Sequence, residues 1–247
     1  MEETMRDYLL DLVEHTYDLG CIDLVKITGT DSETAVEALA EDRSVVVQAK
    51  FLNPMPDFIG TFGMPNLSKL KILLNLGEYR ENAVISVLRQ NRNGVDAPVG
   101  LNFINAAGDF KNDYRFMTSE IVGEKLKTVK FKGANWHIEF EPQNNSIQRL
   151  KMQSQANAEE ATFQARTDNG DLKFVFGDHS THAGEFVFQG MVGGSLKRAW
   201  AWPKAQFISI LDLTGDKIVR ISDDGAAMIT VNSGIAEYNY ILPAQSK

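Results

Sequence analysis

One block of secondary structure recurs along this chain, and its clearest copy lies at the end. Pro203–Leu213 has the apolar spacing of a short amphipathic helix, with Pro203 in the first turn, where a missing N–H costs no hydrogen bond. Gly215 is the residue type that most often closes a helix in a left-handed conformation. Three segments with strand patterning follow, Lys217–Ser222, Ala226–Val231 and Glu237–Leu242, separated by the turn sequences Asp223-Asp224-Gly225 and Asn232-Ser233-Gly234.

The same order, one helix and then three strands, is read three more times upstream. Met5–Leu19 predicts a helix with Met5, Leu9, Leu12, Val13 and Leu19 on one stripe, followed by strands near 22–28, 34–40 and 44–52. Asn66 is expected to cap a second helix carrying Leu67, Leu70, Leu73 and Leu74 and stopped at Gly77, with strands near 83–89, 100–106 and 113–118. A third helix is expected from Asn144 or Asn145, with Ile147, Leu150 and Ser154 inward, followed by strands near 161–167, 172–176 and 185–189. The helix starts are about 61, 78 and 59 residues apart, a recurrence that points to repeated structural units. The longest interval contains Ser119–Lys132, charged and without clean alternation, which reads as a connector. Residues 1–118 and 133–247 are then two similar domains, of ordinary domain size.

Composition narrows the function classes. A hydrophobic content of 43% supports real cores, and a mean hydropathy of −0.22 without a long apolar run predicts no membrane span. No basic-apolar-small leader is visible, so no secretory signal is expected. The single cysteine, Cys21, has no internal disulfide partner and reads as a small buried filler, which suits a reducing compartment such as the cytoplasm. No phosphate-binding Gly-rich Lys-Ser/Thr loop and no Gly-x-Ser-x-Gly elbow is present. His179 and His182 lie close together but between two strands and without a cysteine partner, so a solvated loop is the better reading than a metal site. Hairpin turns account for Asp168-Asn169-Gly170-Asp171 and Asp223-Asp224-Gly225 better than calcium loops do. Neither catalysis nor a cofactor or metal ion is expected.

The net charge of −8 argues on its face against nucleic acid, but the distribution matters more than the sum. Lys69 and Lys71 lie off the leucine stripe of the second helix, Arg149 and Lys151 off that of the third, and Lys204 opens the fourth after Lys197 and Arg198 in an entering strand. Each alone is a solvated helix face. Together they are a repeated feature suited to attracting phosphates without reading bases. Arg6 joins them as the one cation on the otherwise acidic outer face of the first helix.

These features give the chain a resemblance to the DNA polymerase sliding clamps, the ring family of proliferating cell nuclear antigen (PCNA) and the clamps of tailed phages, most closely the phage type. Asn66–Leu73, the segments Leu172–Phe176 and Gly184–Gln189, and the run from Asp223 to Ala244 carry it. The resemblance implies an α+β sliding-clamp fold with two similar domains, helices lining a bore and antiparallel sheets outside. It implies a homotrimeric ring that encircles double-stranded DNA, is opened by a clamp loader and tethers the DNA polymerase. Partners would dock in an apolar pocket at positions matching Ile121 and Val122 in the connector and Ile241, Leu242 and Pro243 near the end, although Ile241 and Leu242 also read as plain core strand. Ring closure would pair edge strands, with 110–118 and 172–176 as candidates. The alternative reading is a β-rich phage structural or tail oligomer. An unrecognised β-rich hydrolase or lyase would need two convergent carboxylates or a bound metal.

Overall fold

The computed structural model describes residues 3–92, 94–127, 131, 133–178 and 182–245. The chain forms two compact units, one of Met1–Val129 with Ser233–Tyr238, the other of Lys130–Asn232 with Asn239–Lys247.

The first unit opens with α1 (Met5–Glu14) and a 3₁₀ turn at Tyr17–Leu19. The apolar stripe predicts one helix through Leu19, but the chain leaves helical geometry at Thr16. There the Thr16 hydroxyl donates to Leu12 C=O, the carbonyl that its own N–H would use in a continuing helix, and that N–H turns to Val13 C=O instead. Four strands follow: β1 (Leu24–Gly29), β2 (Thr34–Leu39), β3 (Val46–Phe51) and β4 (Gly60–Pro65). They form an antiparallel sheet in the order β4-β1-β2-β3, and the start of the last strand lies next to β3, with Leu52 N–H donating to Ile235 C=O. Tyr238 of that same segment donates its hydroxyl to the buried Asp11 at 2.8 Å.

α2 (Leu67–Asn75) comes next. Asn66 does not cap it in the expected way. It sits in the left-handed region at φ 56°, and its side-chain oxygen accepts from the Ser68 hydroxyl rather than from a helix N–H. The helix ends at Asn75, and Gly77 begins a 3₁₀ turn. β5 (Val84–Arg92), β6 (Val95–Ile104) and β7 (Lys111–Arg115) form a second antiparallel sheet in that order. The segment read as a connector contains α3 (Ser119–Lys125). Its Val122 is fully buried against Gly63 of β4, where an added Cβ would come within 2.7 Å of the valine.

The second unit contains β8 (Ile138–Phe140), α4 (Asn144–Ala156), β9 (Thr162–Asp168), β10 (Asp171–Gly177), β11 (Ala183–Gln189) and β12 (Ala201–Pro203), then α5 (Lys204–Leu211), β13 (Asp216–Ile221), β14 (Ala226–Asn232) and β15 (Ala236–Pro243). One sheet has the order β11-β10-β9-β12; the other has β8-β13-β14 and the later part of β15. Phe207 of α5 sits edge-on to Phe163 at 5.0 Å, and Phe174 stacks on Phe188 at 4.3 Å, so an aromatic cluster joins α5 to its sheet. Pro203 ends β12 and stands just before α5, one position earlier than expected. Among the described residues no helix is long and apolar enough to cross a membrane.

α1 begins with a reciprocal cap. Thr4 Oγ1 accepts the Asp7 N–H at 3.3 Å, and Asp7 Oδ2 accepts the Thr4 N–H at 2.8 Å. The Thr4 side chain, and then its backbone, hold the Asp7 carboxyl below its ordinary range. A lowered folded-state pKa stabilises above the unfolded value, and the gain is lost as pH falls through the folded one. Thr4→Ala should therefore cost about 1 kcal/mol at neutral pH. The difference between variant and wild type in thermal melts should narrow below the folded pKa of Asp7, leaving the part contributed by the bond from the Asp7 N–H to Thr4 Oγ1.

Candidate nucleic-acid and partner interfaces

In each unit two helices pack together, α1 with α2 and α4 with α5, and each pair is bolted twice by basic residues. Arg6 near the start of α1 donates from Nη2 to Leu74 C=O in the last turn of α2, at 2.8 Å. Lys204 at the start of α5 donates from Nζ to Asn157 C=O at 2.8 Å and to Ser154 C=O at 3.3 Å, at the end of α4. Both place a cation where the helix dipole and unpaired carbonyls favour one. The second bolt is an ion pair: Lys71 of α2 with Asp18 beyond α1, at 2.6 Å, and Lys151 of α4 with Asp212 beyond α5, at 2.5 Å. Lys204 is 9% exposed, so it does not present its ammonium to solvent as a bore-facing residue would. Lys71 and Lys151 stay part-exposed but share their charge with a carboxylate.

The remaining cations divide similarly. Arg149 lies on the surface of α4, but its guanidinium sits over the Phe186 ring at 5.3 Å and donates to Val187 C=O at 3.2 Å. Lys69 is exposed on α2, with no acidic partner among the described residues. Lys197 and Arg198 lie in a loop, not in an entering strand. The carboxylate of Asp223 accepts both of their backbone N–H groups at 3.0–3.1 Å, which leaves the two side chains exposed. The helix surfaces between these cations are neutral or apolar in places, with Ile72 of α2 62% exposed and Met152 of α4 66% exposed.

β7 is an edge of its sheet, whereas β10, which contains 172–176, is interior, flanked by β9 and β11. The edges of that sheet are β11 and the three-residue β12, and β11 is the long one. Hydrogen-bond phase tells which backbone groups face outward. Phe116 N–H donates to Val99 C=O and Asn105 N–H to Phe110 C=O, so alternate residues 110, 112, 114 and 116 bond to β6. Lys111, Asp113 and Arg115 then turn their backbone groups away from the sheet. On β11 the bond from Asp178 N–H to His182 C=O sets the same alternation, and Ala183, Glu185 and Val187 face outward.

Of the residues expected to bind partners, Ile121 is 47% exposed on α3 and Pro243 is exposed at the end of β15. Val122, Ile241 and Leu242 are buried core residues, at 0%, 5% and 0% exposure. A cleft of about 430 Å³ opens instead between the β2–β3 turn, with Leu39, Ala40 and Arg43, and the chain around α3, with Met117, Lys125 and Leu126. Leu126 also borders Val46 and Val47 on the neighbouring side of the turn. The spacing of Val122 and Leu126, one helical turn apart, was the available signal for this wall. Cys21 is half-buried rather than buried and borders another cleft of about 360 Å³ with Tyr17 and Asp42; burial, and then the Asp42 charge, push its thiol up to about 11. Among the described residues no three His, Cys, Asp or Glu side chains are grouped to hold a metal ion, and His179 lies outside those residues.

No family model matches the chain, and no curated protein sequence matches it. Solved structures do. PCNA from Thermococcus kodakaraensis matches 98% of this chain over 98% of its own, with a TM-score of 0.68 and 12% identity. PCNA from A. fulgidus, solved with the C-terminal region of FEN-1 bound, matches over 96% of both chains, with a TM-score of 0.69 and 9% identity. The fold is that of a PCNA-like sliding clamp. At such identities the likeness lies in the clamp fold, which these sequences reach with few residues in common.

Proposed function

We propose that this protein is a replicative sliding clamp. Three chains join head to tail into a ring that encircles duplex DNA, is opened by a clamp loader and keeps a DNA polymerase on its template. The match to the clamp fold over 96–98% of the chain carries this reading. The edges β7 and β11 support it, because each leaves an alternating row of backbone groups for another strand, and a closed ring removes such edges. Exposed Lys111 and Arg115 on β7 also suit Glu185 on β11, whose part-exposed carboxylate pairs with Lys173 at 3.3 Å within the chain.

A ring holds DNA by topology, so its bore needs little affinity. The internal bolts fit that need. Arg6, Lys204 and Arg149 are engaged within the chain and Lys71 and Lys151 are paired, so of these candidates Lys69 and Lys197 are freest to meet phosphate, with Arg198 exposed beside the Trp200 ring at 5.9 Å. Each phosphate neutralised adds about 0.9 to the logarithmic salt slope. Lys69→Ala with Lys197→Ala and Arg198→Ala should lower that slope by up to about 3 per chain, without changing sequence preference. Retention on DNA tests the topology itself. Protein loaded onto a nicked circular duplex should stay bound through a salt wash and leave when the circle is linearised; equal loss from circular and linear DNA would refute encirclement.

The polymerase is proposed to insert an apolar anchor into the cleft beside Leu126, with Ile121 as a further surface contact. Such anchors dominate binding energy. Ile121→Asp should reduce polymerase binding at least tenfold in pull-down titrations with the ring intact, because the side chain is 47% exposed, whereas Val122→Asp should damage folding by placing a charge in the core.

A further inference from the structure

The outward edge of β11 is not vacant in the single chain. Glu185 and Val187 turn their carbonyls away from β10, and α4 reaches both of them. Arg149 Nη1 donates to Val187 C=O at 3.2 Å and Gln153 Nε2 to Glu185 C=O at 3.5 Å. Neither contact is casual. The Arg149 guanidinium is held over Phe186, the residue between the two carbonyls. The Gln153 amide is oriented by Asn157, whose Nδ2 donates to Gln153 Oε1 at 3.1 Å, and Asn157 in turn gives its carbonyl to the buried Lys204 at 2.8 Å.

A strand adding to β11 needs these same two carbonyls as acceptors for its N–H groups. On this basis we propose that Arg149 and Gln153 form a self-cap on the subunit-joining edge. The cap occupies these two carbonyls in the free chain and must be displaced when the β7 edge of a second copy pairs there. This rests on the ring reading above and adds a competition to it. The cap shields an exposed edge from indiscriminate strand addition, and it weakens each subunit joint by the contacts that have to be exchanged, which favours a ring that opens. The surface location of Arg149 makes it removable without a cavity.

The test compares wild type, Arg149→Ala, Gln153→Ala and the double variant by sedimentation equilibrium across a dilution series, with circular dichroism to confirm folding. Loss of one charge-assisted hydrogen bond is expected to tighten the subunit joint about fivefold, and the double variant to tighten it further. Faster subunit association should accompany it. Unchanged or weaker association in both folded single variants would overturn the cap, weaker association showing that these side chains hold the neighbour instead. If neither wild type nor any variant associates at any concentration, the ring reading itself fails. Gln153→Ala keeps the cap testable if Arg149→Ala misfolds.

Discussion

Asp113→Pro should turn the protein into a folded monomer. Asp113 lies on β7 with its backbone N–H pointing away from β6, where a neighbouring strand would pair, and its side chain is exposed. Proline removes that N–H and its ring blocks close approach, and proline is tolerated on an edge strand when its N side faces outward. The cost to the subunit's own fold is limited to the surface bond from Asn102 and the loose pairing with Arg115. The neighbouring position behaves in the opposite way. Tyr114 bonds inward to β6, is 2% exposed, and donates its hydroxyl to Pro65 C=O, so Tyr114→Pro should unfold the first unit rather than separate subunits. Sedimentation with circular dichroism distinguishes the outcomes. A folded Asp113→Pro variant that still assembles would show that β7 is not a joint.

Lys204→Met should lower stability by about 2 kcal/mol, the scale of hydrogen bonds to a buried charged group, which for a chain of this size is a fall of about 4–8 °C in melting temperature. The methionine keeps the apolar stem but leaves the carbonyls of Ser154 and Asn157 at the end of α4 without their donor. DNA retention by the folded fraction should be unchanged, because the ammonium does not reach solvent. Lys69→Ala should do the reverse, leaving the melting temperature alone and weakening DNA contact. Melting has to be compared at one protein concentration, since assembly itself stabilises. A Lys204→Met variant with normal stability and impaired DNA retention would contradict the helix-bolt role.

The block of helix and three strands was legible because its elements bury one face and are divided by Gly- and Asn-containing turns. β13, β14 and β15 fall within a residue or two of the segments expected from pattern. What pattern could not show was contributed by tertiary context. β4 carries two glycines and ends in proline, so it lacks alternation, yet Gly63 is the position where Val122 needs room. β8 and β12 have three residues each, too few for a period. The site residues diverged more. The sequence shows that Lys71, Lys151, Arg6 and Lys204 carry charge, but not that each has a carboxylate or a helix end as its partner. Ile241 and Leu242 read equally as pocket or core, and their burial decides for core. The edge assignment failed at 172–176 for a topological reason: two adjacent strands with similar patterns differ in which one is outermost, and that depends on β9 and β12 adding on the far side of β10.

The mass of the native particle bears most directly on the closed ring. Native mass spectrometry of the wild-type chain, followed over a dilution series and paired with small-angle scattering, should show one discrete species of three times 27.5 kDa with a hollow profile. A persistent monomer, a dimer, or a ladder of growing oligomers without closure would contradict the ring.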